Sequence, residues 1–328
     1  MKVIDGSRLE GGGQLVRMAV ALAALTGIPV EIRNVRAGRK NPGLAAQHIA
    51  AVRAVAGVCS AEYTGLTVGS SRITFSPGEP ARRDLRVDVG TAGSIPLVLQ
   101  AYLPVALTCG GTLVVTGGTE VEHAPTIDYF REVLAAVLRE LGADCTVEIR
   151  RRGYYPEGGG EVAVEVAPSR LRPLDLTAGA ARPACGIISC SSHLPAHVAE
   201  RQARAAETAI TGETGIPCTV RCERQDGPAT GTSCTAWSGS RGSCALGRRG
   251  LPAEKVGEAA ARGLVEAIRS GADVDLHLSN QLLVYLAMAG GSFTAPALTL
   301  HARTMHWLLG EFGYGVRCRE DGMVEWSA

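Results

Sequence analysis

Lysine is nearly missing from this chain. Of its 33 basic residues only Lys2, Lys40 and Lys255 are lysines. None has the Lys-x-Asp-Gly context of a nucleotide-accepting lysine, because Lys2-Val-Ile-Asp5-Gly6 is one residue too long, so chemistry through a lysine adduct is excluded. Charge of one sign is also missing. With 33 basic and 32 acidic residues the net charge is +1, which denies the chain a global attraction for nucleic acid or a membrane, and any polyanion site must be local. Long apolar runs are absent, all being broken well short of the ~18 residues that span a bilayer, so no membrane partner is expected. The ten cysteines include no C-x-x-C pair, and the Cys185–Cys190 and Cys218–Cys222 spacings do not suit zinc. Their density is too low for a disulfide scaffold. The opening MKVIDGSRLE lacks a positive-then-apolar leader, and a soluble, cytoplasmic protein is expected.

What is present points to a large core. Apolar residues make up 46% of 328 positions, which implies about two domains at the usual ~150 residues each. Hydrophobic periodicity predicts a strand at 2–5, a helix at 13–26, a strand at 29–35, a helix at 43–58 and strands at 62–68 and 71–76. The same order returns with strand 85–89, helix 93–108, strand 112–116, helix 125–142 and strands 144–151 and 160–166. The tail repeats it from the second element on: helix 275–288, strand 291–294, helix 299–312, strands 314–319 and 322–326. Its first strand is assigned to 171–177. Three βαβαββ units result, the third interrupted by a segment with strands at 184–191, 217–224 and 232–237 and helices at 196–211 and 252–269. The expected fold is α/β (α+β): a large domain of residues 1–182 plus 272–328, and a smaller α/β domain inserted at 183–271.

Local charge gathers near the N-terminus, where residues 1–60 hold eight basic residues against three acidic ones. The turn EGGGQ (10–14) opens the first helix, and its glycines let backbone N–H groups approach a phosphate. It is neither a P-loop nor G-x-G-x-x-G. A tight strand-to-helix turn would use the same glycines, but Glu10 and Arg17, one turn into the helix, favour an anion site. The loop RAGRKNPGL (36–44) supplies Arg36, Arg39 and Lys40 ahead of the helix that carries Gln47 and His48. Guanidinium forks grip phosphate oxygens in pairs. His301 falls in the first turn of the helix at 299–312, on a face shared with Met305, Leu308 and Phe312. Spacing alone reads it as the edge of a core stripe, and His277 and His306 read the same way.

Taken together, DGSRLEGGGQLVR (5–17), RAGRKNPGLAAQH (36–48), VGTAGSIPLVLQAYLP (89–104) and GGTEVEHAPTIDYF (117–130) resemble the RNA 3′-terminal phosphate cyclase family. RGYYPEGGGEV (152–162), NQLLVYLAMAG (280–290) and the His301 helix complete the match in family order. The resemblance implies a large domain of three βαβαββ units, similar to the enolpyruvyl transferase fold, with a smaller domain inserted in the third. It implies a three-step reaction that uses ATP as substrate with Mg²⁺ or Mn²⁺. A histidine takes AMP from ATP, AMP passes to an RNA 3′-phosphate to make RNA-(3′)pp(5′)A, and the 2′-OH displaces AMP to leave a 2′,3′-cyclic phosphate. On this resemblance His301 is the nucleophile and Glu10 the metal ligand. Arg17, Arg36, Arg39 and Gln47 contact the RNA phosphate, and Gln100, Pro125, His277, Asn280 and Gln281 bind ATP. The chain departs from the family in three places: Asn280-Gln281 replaces an Asp-Gln pair, His277 stands at the adenine-stacking position, and Gly247-Arg248-Arg249-Gly250 replaces Gly-Glu-Lys-Gly.

The partner implied is RNA with a 3′-phosphate end, and a homo-oligomer stays open. The alternative is a non-catalytic, cyclase-like RNA-processing or ribosome-assembly factor, which typically lacks the histidine. An enolpyruvyl transferase would need substrate sites across two comparable domains, whereas a small insert is expected here.

Overall fold

The alternation of strands and helices resolves into four four-stranded sheets in a computed structural model that describes residues 1–176 and 184–328, a mixed α/β architecture. The first sheet comprises β1 (Lys2–Asp5), β2 (Val30–Arg33), β3 (Glu62–Thr64) and β4 (Ile73–Ser76), connected by α1 (Gly13–Thr26) and α2 (Ala46–Cys59). β1 is parallel to β2, while β2 and β3 each pair antiparallel with β4. In the second sheet β5 (Arg83–Asp88) is parallel to β6 (Gly111–Gly117), and β6 and β7 (Cys145–Arg151) are antiparallel to β8 (Gly160–Val166). Its helices are α3 (Ile95–Cys109) and a composite of α4 (Ile127–Tyr129), a π turn (Phe130–Leu134) and α5 (Ala135–Glu140).

After β9 (Leu174–Asp175), β10 (Cys185–Ser192), β11 (Cys218–Arg224), β12 (Gly231–Ser238) and β13 (Arg241–Leu246) form a sheet of their own, in the order β11-β10-β12-β13. Helices α6 (Ala196–Thr214) and α7 (Ala253–Arg269) pack together on it. The chain then adds α8 (Leu276–Ala289), β14 (Gly291–Ala295), α9 (Leu300–Glu311), β15 (Arg317–Asp321) and β16 (Met323–Ser327). β14 is parallel to β9, and β14 and β15 are antiparallel to β16.

Every residue of α1 from Leu15 to Ala24 is buried, Arg17 included, because the helix packs against α2, α3 and α9 as well as its own sheet. One hydrophobic core therefore runs through the helices of three sheets. The fourth sheet has a separate core around Ile187, Ala206, Ile210 and Leu264. Among the described residues no helix is long and apolar enough to cross a membrane.

Several expected elements differ in detail. The strands predicted at 62–68 and 71–76 shorten to β3 and β4, because Gly65 (φ 73°) and Gly69 (φ 81°) turn the chain between them. The helix predicted at 125–142 starts only at Ile127, where Thr126 caps it, and is widened by the π turn. The strand predicted at 171–177 forms at Leu174–Asp175, and Thr177 lies outside the described residues, as does residue 183, the expected start of the insert. β13 is absent from the sequence reading because Arg-Gly-Ser-Cys-Ala-Leu has no β-branched residue to mark a strand.

A buried charge cluster joins the second and fourth sheets. Arg152, 2% exposed, donates to Glu120 at 2.8 Å, to both oxygens of Asp128 at 2.7 and 3.1 Å, and to Glu223 of β11 at 2.8 Å. Asp128 and Glu223 also pair with Arg131 at 3.1 Å and Arg221 at 2.8 Å, whereas among the described residues Glu120 has Arg152 alone, and its Oε2 has no hydrogen-bond partner. Burial, with the Asp128 charge adding to it against the pull of Arg152, pushes Glu120 up to about 8. The folded protein thus holds a proton that an unfolded chain releases above its ordinary carboxyl pKa of 4.5. That contribution to stability is complete below about pH 4.5 and is lost as pH rises through about 8. Glu120→Gln should flatten the fall in stability between those values by on the order of 5 kcal/mol, read from denaturant midpoints across the window. An unchanged slope would contradict the assignment.

Candidate active site

The turn between β1 and α1 is shaped by its own polar groups. The Asp5 carboxylate accepts from the backbone N–H of Ser7 at 3.0 Å and its hydroxyl at 2.7 Å, and also from Asn34 at 3.2 Å. Leu9 and Gly11 take positive φ values of 53° and 57° to bring the chain back to the helix. Gly12 then caps α1 with no side-chain hydrogen bond, which leaves the first N–H groups of the helix without side-chain partners. Close approach favours glycine here: a Cβ on Gly13 would collide with the buried His48 ring, while one on Gly12 would only displace the Glu10 carboxylate.

Helix α9 meets this turn. Thr299 caps it through a 3.0 Å bond from Ala302 N–H, which places His301 in the first turn with its side chain 53% exposed. One turn on, buried Thr304 accepts from the Glu10 N–H at 3.1 Å and donates to the Leu300 carbonyl at 2.8 Å, pinning the loop to the helix. His301 Nδ1 lies 2.9 Å from Gln14 Oε1 and 3.9 Å from Glu10 Oε2. Gln14 Nε2 donates to Asn280 of α8 at 3.1 Å, so three helices meet at one amide. Partial burial, then the positive charges of Arg17 and Arg39 and the neighbouring His277, lower the His301 pKa and keep the ring neutral at pH 7.

Beneath the turn sits Arg17, 6% exposed, with Nε unpartnered. Burial pulls its pKa down to about 10, with no carboxylate to hold it up. His48 is also buried and accepts from the Ala45 N–H through Nδ1 at 2.9 Å. Burial and the charges of Arg17 and Arg36 push it down to about 3, so it adds no second cation. A buried, unpaired guanidinium is costly unless an anion joins it.

The second basic loop closes over the first. Arg39 donates to the Glu10 carbonyl at 2.9 Å and pairs with the Glu10 carboxylate, whose Oε2 stays buried and without a hydrogen bond. Arg36 donates to the Gly43 carbonyl at 2.9 Å. Gln47 accepts from the Ser94 N–H at 3.1 Å, tying α2 to the start of α3.

On α8, Asp275 caps the helix by accepting from the N–H groups of His277 and Leu278 at 2.7 and 2.9 Å. The same carboxylate accepts from Tyr129 of α4 and from Gly242 N–H of β13, which fixes α8 against two neighbouring layers. His277 is exposed, Asn280 is half-buried, and Gln281 Oε1 is buried without a partner. Gln100 lies midway along α3, which packs on α8, and Pro125 precedes the cap of α4.

The family model for RNA 3′-terminal phosphate cyclase matches residues 8–317. The chain is 43% identical over 319 residues to an RNA 3′-terminal phosphate cyclase of Archaeoglobus fulgidus, covering 94% of each protein. It is 44% identical over 315 residues to one from Methanococcoides burtonii, covering 94% of this chain and 93% of the other. Against one from Nitrosospira multiformis it is 44% identical over 322 residues, covering 95% and 91%. The chain belongs to the RNA 3′-terminal phosphate cyclase family.

Within this cyclase-family chain, the structure brings Glu10, Arg17, Arg39, Asn280 and His301 into one cluster, with His277 close enough to influence His301. Among the described residues no hydrogen bond joins Gln100 or Pro125 to that cluster. Gln14, His48, Thr304 and Asp275 went unassigned in the sequence reading. Gln14 and His48 carried a signal, as the last residue of EGGGQ and the neighbour of Gln47. Thr304 and Asp275 carried none, because their roles rest on contacts distant in sequence.

Proposed function

We propose that this chain uses ATP to convert an RNA 3′-terminal phosphate into a 2′,3′-cyclic phosphate, and that His301 is the residue that carries AMP. The observation that carries the reading is the uncompensated guanidinium of Arg17, close enough to the exposed His301 ring for its charge to lower that ring's pKa. A neutral imidazole is a nucleophile near pH 7, and a phosphate oxygen is the partner the arginine lacks.

In this reading a His301 ring nitrogen bonds to the α-phosphorus of ATP as the bond to pyrophosphate breaks. An oxygen of the RNA 3′-phosphate then takes AMP, restoring the histidine and making RNA-(3′)pp(5′)A. Attack by the 2′-oxygen closes the ring, with loss of its proton and departure of AMP. Arg17, Arg36, Arg39 and Gln47 bind the terminal phosphate, and Arg39 can trade its Glu10 partner for it. Helix α8 supplies the nucleotide face, with the exposed His277 ring for stacking, Asn280, and the unpaired Gln281 acceptor for a donor such as the adenine amino group. Gln100 and Pro125 complete that pocket.

Among the described residues no group of three His, Cys, Asp or Glu side chains is placed to cage a metal. The buried, unpartnered oxygen of Glu10 fits a Mg²⁺ or Mn²⁺ ion that draws its other ligands from phosphate and water. Such an ion would neutralise phosphate charge as pyrophosphate leaves. We extend the proposal to architecture: the three sheets whose strands run in the order first-second-fourth-third are copies of one βαβαββ unit, and 183–271, whose sheet has the order β11-β10-β12-β13, is a domain inserted in the third. The protein is placed in the cytoplasm.

The test uses RNA ending in a 2′-deoxy or 2′-O-methyl 3′-phosphate. Such ends should accept AMP at the normal rate and accumulate as the anhydride, heavier by one AMP. An unmodified end should give cyclic phosphate and little anhydride. Failure of the blocked end to accept AMP would make the 2′-OH part of recognition and contradict this division of labour.

A further inference from the structure

The geometry points to Gln14 as the positioning residue of His301, acting through a one-way chain of hydrogen bonds that ends on a backbone carbonyl. Polarity is fixed at the far end. The His277 carbonyl accepts a 3.0 Å bond from the Asn280 side chain, and since a carbonyl only accepts, Asn280 must turn its amide nitrogen that way. Asn280 Oδ1 therefore faces Gln14 and takes the 3.1 Å bond from Gln14 Nε2. Gln14 is left presenting Oε1 to His301 Nδ1 at 2.9 Å. An amide oxygen cannot donate, so the single proton of the neutral imidazole sits on Nδ1 and the lone pair on Nε2.

Glu10 does not compete for that proton, because its oxygen lies 3.9 Å from Nδ1, beyond hydrogen-bond range. Free histidine in water favours the opposite tautomer, so the relay imposes a state the ring would not choose alone. Asn280 matters to this polarity. A carboxylate there could accept from Gln14, but it would set an anion against the His277 carbonyl, whereas the amide satisfies both ends without charge. The consequence, that Nε2 is the nitrogen offered to the α-phosphorus, rests on the proposed role of His301. The relay itself does not.

The experiment reads the tautomer directly. Protein labelled with ¹⁵N-histidine is examined by long-range ¹H–¹⁵N correlation at pH 8 without nucleotide, and the His301 signals are assigned by their loss in His301→Asn. The parent should show Nδ1 protonated, and Gln14→Met should shift the ring toward Nε2–H. Asn280→Leu frees the Gln14 amide to turn and should give a mixture, while Gln14→Glu keeps an acceptor at Nδ1 and should keep the parent tautomer. At saturating ATP, Gln14→Met should form enzyme–AMP about 10²-fold more slowly, a positioning effect, with the KM for ATP little changed. A parent His301 protonated on Nε2, or a Gln14→Met ring unchanged in tautomer, overturns the proposal. The expected tautomers on a His301 that never carries AMP would uphold the relay and sink the nucleophile assignment instead.

Discussion

Arg17→Met is expected to make the unliganded protein more stable and to deprive it of RNA 3′-phosphate ends. The two effects share one cause. Arg17 is buried in the middle of α1 with Nε unpartnered, and its pKa falls from 12.5 to about 10 because the charged form is poorly solvated there. At neutral pH the fold keeps the cation at a cost on the order of 3 kcal/mol. Methionine has a similar reach and no charge, so its substitution should recover about 1–3 kcal/mol, as replacing buried charge by apolar side chains often does. Charge-assisted bonds to a phosphate contribute about 1.5–3 kcal/mol each, so losing this one should weaken 3′-phosphate binding by at least about 10-fold. Denaturant midpoints with and without inorganic phosphate separate the effects. Phosphate should stabilise the parent and leave the variant unmoved, while without phosphate the variant should be the more stable. A variant less stable than the parent, yet still stabilised by phosphate, would show that Arg17 is structural.

His301→Ala should form no enzyme–AMP and lose at least about 10⁴-fold in cyclisation from ATP, the scale on which removing a nucleophile acts. The same variant should still close the ring on RNA supplied with a ready-made (3′)pp(5′)A end. His301 belongs to the steps that load and transfer AMP. Closure needs only an adjacent 2′-oxygen and a good leaving group, and well-oriented intramolecular attack reaches effective molarities of about 10⁵–10⁸ M. Equal loss of both activities would mean that His301 also serves the closing step, or that the variant has lost its site geometry.

The elements that the sequence made legible are those whose pattern is local. Helix α1 spans Gly13–Thr26 as expected, because one apolar run begins at a glycine turn and ends at Gly27 in the left-handed conformation. Strands β8 and β10 likewise lie within one residue of their expected positions, β8 because valines alternate along it and β10 because the Ile187-Ile188 pair marks it. β13 escaped because it holds no β-branched residue, and the π turn because its register change leaves the apolar spacing readable as one helix. The site divides in the same way. Glu10, Arg17 and Arg39 stood out as charges in a glycine-rich, basic segment. His301 did not, since spacing placed it on a core stripe with Met305 and Leu308, and its contact with Gln14 spans 287 positions of chain. Only resemblance to a family marked it out, and no periodicity could reveal that Gln14 and Asn280 would meet beside it.

The central claim is that AMP resides on His301 between ATP and RNA. The direct measurement incubates the protein with α-labelled ATP and a divalent metal in the absence of RNA, digests the chain under alkaline conditions and locates the label. The account predicts label on the peptide containing His301, held by a phosphoramidate bond that survives alkali and breaks in acid, and released when RNA with a 3′-phosphate is added. Label on any other residue, or cyclisation that proceeds while the chain never becomes labelled, would contradict it.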